Sequence, residues 1–196
     1  ISGGTIALGQ VGGTTYWKGS LSLDMTGDVT ARGALSVADG ASISSGGSVH
    51  IGGNTNSGAN LSISASGDLQ INGTVQASQG TALSAGGKLE SGSVQATSVS
   101  LDGGTVSITG SVVGTTGATH LRGTSGITVT GDVSSGGSGS SGIVATTSGA
   151  LDIGGTTTSG AGMTLKSGTT LHLGQQAQAT GAMHLEAGGN ITADQG

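Results

Sequence analysis

The sequence predicts an all-β solenoid: a right-handed parallel β-helix of about nine to ten coils, each about 20 residues long. Three observations predict it. Apolar residues return at a fixed interval, each return lies in a short run that alternates apolar and polar, and Gly-rich corners separate the runs.

The interval comes first. Composition alone suggests a flexible segment, with 43 Gly in 196 residues and no Phe, Pro or Cys, against a usual Gly share of ~7%. Disorder usually goes with low hydrophobicity and high net charge. Here only 8% of residues are charged and the mean hydropathy is +0.12. Recurrence decides between the two. Leu23, Ile43, Ile63, Leu83, Leu101, Leu121, Ile143, Met163 and Met183 follow one another at steps of 20, 20, 20, 18, 20, 22, 20 and 20. A second series runs beside it: Val29, Val49, Leu69, Leu89, Ile108, Val129, Leu151, Leu171 and Ile191. Six of these nine have a Gly two positions earlier.

Within one period the alternation gives the strands. Leu61-Ser62-Ile63-Ser64 alternates, Ala65-Ser66-Gly67-Asp68 turns, and Leu69-Gln70-Ile71 alternates again before Asn72-Gly73. Such period-2 runs are half-buried strands, whereas helical spacing is nowhere sustained. The corner glycines are expected to supply positive φ angles. Strands repeating at a fixed interval pair in parallel with their copies one coil later, so like side chains stack inward. Successive coils ~4.8 Å apart make a rod of roughly 45 Å. The lack of Pro fits, because proline cannot donate to such a ladder. One coil cannot offset its own ordering entropy, so stacking is obligatory and both ends should be raw strand edges.

Regularity fails in two zones. Residues 102–120 hold the short step and Gly114-Thr115-Thr116-Gly117; residues 131–142 hold the long step and a Gly/Ser run, where a bulged corner or short loop is expected. Ile1–Lys18 fits loosely, with Ile6 and Leu8 able to begin a coil. No domain boundary is visible, so 1–196 reads as a single segment. It has neither an initiating Met nor a signal peptide and is expected to be a fragment of a longer protein.

Several stretches resemble the filamentous haemagglutinin repeats of two-partner-secreted exoproteins, a group of haemagglutinins, high-molecular-weight adhesins and contact-dependent growth-inhibition proteins. They are Ser20-Leu21-Ser22-Leu23 with Gly27-Asp28-Val29, Gly58 through Leu69, Ala82 through Leu89, and Gly181 through Ile191. The resemblance covers nearly the whole chain. It implies the shaft of an exported bacterial surface adhesin or filament that extends a distal binding or toxin module. It also implies an outer-membrane two-partner secretion transporter as partner, extracellular display, and a host or neighbouring-cell receptor or glycan as target.

Chemistry-bearing residues are sparse. A net charge of −5 with five basic residues argues against nucleic acid, and no apolar run reaches a membrane span. Asp28, Ser48, Asp68 and Lys88 fall one per coil after the corner Gly. Asp28 and Asp68, two coils or ~10 Å apart, raise the thought of a β-helix polysaccharide-degrading enzyme, but surface solvation is the reading taken. Asp152 and His172 should be outward neighbours, as should Lys166 and Glu186. His50, His120, His172 and His184 each flank an inward apolar residue and point apart, so no zinc site is expected. Gly136-Gly137-Ser138-Gly139-Ser140-Ser141 has Ser where a calcium-binding repeat needs Asp. Asn60, Asn72 and Asn190 begin N-glycosylation sequons. No catalytic, cofactor or metal residue is assigned. Tyr16 and Trp17, the only aromatics, are the contact candidates should the shaft itself bind a host glycan or protein; the alternative for Trp17 is packing over the open first coil, in register with Val37 and Ala77.

Overall fold

Each alternating run becomes a strand, and three strands make one coil. Leu61–Ala65, Leu69–Ile71 and Val75–Ala77 belong to three successive walls of one coil, and the chain then begins the next with Gly80–Ala85. The computed structural model describes residues 1–4, 6–8, 13–138 and 142–194. Among them there is no helix; the structure is a β-solenoid of about nine turns. The first two walls join into an 18-stranded sheet, and the third wall is a separate nine-stranded sheet. Pairing is parallel, coil on coil: Leu61 stands between Ala41 and Thr81, Leu69 between Val49 and Leu89, and Val75 between Thr55 and Val94.

The period-2 alternation puts every second side chain into the bore. Leu23, Ile43, Ile63, Leu83, Leu101 and Leu121 form one column, each no more than 2% exposed. A buried Leu or Ile contributes roughly 1.5–3 kcal/mol, and none could be buried without the coil above and below. Backbone N–H groups donate along the axis to the next or preceding coil, as from Leu21 to the Gly40 carbonyl and from Gly46 to the Met25 carbonyl, 3.0 and 2.8 Å.

The corners differ from expectation. Among the described residues only Gly3, in the first strand, has a positive φ, at 158°. Corner glycines therefore do not serve through left-handed backbone. Close approach of stacked backbones requires them instead. A Cβ at Gly46 would lie 2.5 Å from the Thr26 carbonyl oxygen, and one at Gly86 would lie 2.2 Å from that of Ser66. Buried serines secure the same bends. The Ser45 hydroxyl donates to the Gly27 carbonyl at 2.8 Å and accepts from the Gly47 N–H. Ser167 repeats the device with the Gly149 carbonyl and the Thr169 N–H.

The two inner series hold up to the irregular zones and again after them, but their register through those zones needs correction. Ile143 does not sit over Leu121; it sits over Thr119, and Leu121 meets Ala145. The step there is 24 residues rather than 22. Ile108 and Val129 also belong to the next inward position, two residues further along the same strands: Leu89 pairs with Val106, Val106 with Ile127, and Ile127 with Leu151. The short coils arise where Ser98–Ile108 runs as one continuous strand, with a register shift at Gly103/Thr105 replacing the usual corner. The four extra residues fall between Val133–Ser135 and Ile143–Thr147, in the corner where a loop was expected. Residues 139–141 of that corner lie outside the described residues, as does the end of the calcium-like stretch. Ile6 and Leu8 belong to a coil but do not begin it: they lie on its second wall, in register with Val29 and Ala31, after Ser2–Gly3 on the first.

The large exposed hydrophobics lie in the end coils: Ile1, Tyr16 and Trp17 at one end, Met183 and Ile191 at the other. Three of them are in register with bore positions, Trp17 over Val37, Met183 over Met163 and Ile191 over Leu171.

Candidate functional site

The third wall carries an open groove along the axis. Its strands are short, so one outward residue per coil stands at the centre of each. Register brings Tyr16, Ser36, Asn56, Gln76 and Gln95 into a single column along the axis. With the corners that follow, through Ala38, Gly58, Ser78, Thr97 and Thr115, they line an open groove of about 720 Å³. Tyr16 is 61% exposed at one end. At the other, Val113 sits in register with Gln95 and interrupts the polar column. Apart from the Tyr16 phenol no ionisable side chain lines the groove.

Tyr16 and Trp17 are adjacent in sequence but face opposite ways. Tyr16 is in register with outward Ser36, and Trp17 with inward Val37. Trp17 is 38% exposed because it lies at the open end of the bore. Its register continues through Ser57 to Ala77, as the sequence indicates. The amide column escaped sequence reasoning, although its signal was present. Thr55-Asn56-Ser57, Val75-Gln76-Ala77 and Val94-Gln95-Ala96 place an amide at the centre of the third run in three consecutive coils.

The acidic ladder has a different job. Asp28 accepts the Ser48 N–H at 2.8 Å, Ser48 the Asp68 N–H at 3.2 Å, and Asp68 the Lys88 N–H at 2.7 Å. Each side chain thereby caps a backbone amide on the next coil. Asn54 and Asn60 do the same for Thr74 and Gly80, both at 2.9 Å. Asp132 holds both the N–H and the hydroxyl of Thr156. Asp28 and Asp68 are thus each held against backbone, one coil on.

Asp152 and His172 do meet. Nδ1 of His172 lies 2.7 Å from Asp152 and its Nε2 lies 3.1 Å from Asp194. The hydrogen bond to Asp152, then that to Asp194, raises its pKa above 6.5. With both ring nitrogens occupied, none is left to orient a Ser or Thr hydroxyl as a nucleophile. Asp194 was not foreseen as a partner. Lys166 and Glu186 pair at 2.9 Å on adjacent coils. Lys166, followed by His184, holds the Glu186 carboxyl below its usual range. His50 bonds Gln70 at 2.9 Å, and His120 stands exposed on another wall.

Among the described residues no three His, Asp or Glu gather as metal ligands, and no helix is long and apolar enough to cross a membrane. Asn60, Asn72 and Asn190 are all exposed. In comparison with known proteins the chain matches no family model, no curated protein and no solved structure.

Proposed function

We propose that the chain is a stretch of structural shaft from an exported bacterial surface adhesin or filament, holding a distal binding or toxin module away from the cell. The observation that carries this reading is the uninterrupted stack of about nine coils around one continuous bore. Stiffness follows from that construction. Bending the rod would stretch axial hydrogen bonds on its convex side, crowd the coils on its concave side and disturb a close-packed column of Leu, Ile and Val. Length follows as well, because each coil adds one strand spacing, ~4.8 Å, without altering its neighbours. The resemblance to filamentous haemagglutinin repeats supplies the extracellular setting and the two-partner transporter.

The test is a coil deletion in the parent protein. Removing residues 41–60 takes out one whole period, joining coils whose register is unchanged. The shortened protein should fold, reach the surface, and stand one strand spacing shorter by electron microscopy. Serial deletions should lower delivery or adhesion by the distal module in step with length. Retention of the protein inside the cell, or full function whatever the length, would defeat the reading.

A further inference from the structure

We propose that the third-wall groove binds an uncharged, extended, β-linked polysaccharide, one sugar unit per coil. Unused hydrogen-bonding capacity points there first. Among the described residues, the side-chain amides of Asn56, Gln76 and Gln95 make no hydrogen bond, and Gln76 and Gln95 are exposed. Some other amides are committed, since Asn54 and Asn60 cap backbone N–H groups and Gln70 bonds His50; Asn72 and Gln79 are as free as these three but stand in no such column. A column of amides one coil apart leaves each with donors and an acceptor pointing outward.

Charge narrows the ligand. Nucleic acid, sulfated glycans and uronic-acid polymers all need Lys or Arg to offset their anions, and the groove has neither. A cationic polymer would need carboxylates, which are also missing from the lining. Hydroxyls of a neutral sugar, each both donor and acceptor, match a row of amides with Ser36, Ser78 and Thr97 beside it. A peptide adding as a strand would need a free sheet edge, and along the groove only Thr14–Trp17 offers one; the strands that carry Ser36, Asn56, Gln76 and Gln95 are paired on both sides.

Spacing and ends complete the argument. The coil repeat of ~4.8 Å is slightly shorter than one pyranose in an extended β-linked chain, so over a few successive coils each sugar keeps an amide within reach. The lining spans six coils, from Tyr16 to Thr115. The exposed Tyr16 ring offers an apolar face to a terminal pyranose, and outward Val113 ends the amide column.

Titration calorimetry with cellohexaose and chitohexaose tests the site, with heparin and polygalacturonate as anionic probes. At least one neutral hexasaccharide should bind, and roughly tenfold more tightly than its disaccharide. Gln76→Ala and Tyr16→Ala should each weaken it by roughly tenfold. Gln178→Ala, on the same wall beyond the groove, should leave affinity unchanged, and thermal melts will identify any variant that misfolds. Gln76→Glu, of the same size but without N–H donors, should weaken binding as Gln76→Ala does. No binding of either neutral hexasaccharide, preference for an anionic probe, or indifference to both Gln76 variants would overturn the proposal.

Discussion

The imidazole of His172 stands 2.7 Å from the carboxylate of Asp152, its neighbour one coil earlier, and reaches Asp194 through its other nitrogen. Both hydrogen bonds favour the protonated ring and raise its pKa above 6.5. A raised folded-state value means the contribution is complete below pH 6.5 and is lost as pH climbs through the folded value. The melting temperature should therefore fall slightly as pH rises past that window, and His172→Gln should flatten the trend. The ring is 35% exposed, so the effect stays within the ~0–1 kcal/mol of surface pairs. Melts of both proteins across the window check it; an identical slope in the two would refute it.

Corner glycines give a sharper prediction. Gly86→Ala would drive its methyl to 2.2 Å from the Ser66 carbonyl oxygen in the coil beneath. The coils must part locally, at a cost of about 1–3 kcal/mol. Gly126→Ala meets nothing closer than the Ala150 carbonyl oxygen at 3.5 Å. It should be neutral or gain a few tenths of a kcal/mol through reduced unfolded-state entropy. Chemical denaturation of the pair reads the contrast directly.

The bore contains correctable flaws of a different kind, buried hydroxyls without a partner, and Thr55 is one of them. Thr55 is fully buried in the column between Leu35 and Val75, and its hydroxyl has no partner. An unmet buried hydroxyl costs about 1–3 kcal/mol, and an apolar group of like shape removes the cost. Thr55→Val should raise stability by about 1 kcal/mol. A fall in the denaturation midpoint would refute it.

Period and alternation made the solenoid legible in the sequence, because both walls and bore follow from which residues recur. Register through the irregular zones was not legible, for a reason intrinsic to strands. A slip of two residues leaves every side chain on its own face, so Ile143 served as well as Ala145 to mark the rung above Leu121. Small bore residues such as Thr119 and Ala145 hide the true rung from a search for large aliphatics. The corner glycines were located correctly but explained wrongly, since clashes between residues 20 apart are visible only after stacking. Likewise, the amides of Asn56, Gln76 and Gln95 look ordinary one at a time and become a surface only when register superimposes them.

Stability should vary along the rod in a way a globular core would not show. Leu83 lies between Ile63 and Leu101 and is 1% exposed. Leu83→Ala opens a cavity bounded by a coil on either side and should cost about 2–5 kcal/mol. Met183 occupies an equally inward position in the last coil, over Met163, yet is 41% exposed because no coil follows among the described residues. Met183→Ala should cost less than ~1 kcal/mol. Hydrogen exchange supplies the companion reading. Amides of Leu61–Ala65, flanked by paired strands, should exchange far more slowly than those of Met183–Ala187. Equal protection in both strands would mean that the last coil is covered in solution, and the small cost expected for Met183→Ala would then rise toward that of Leu83→Ala.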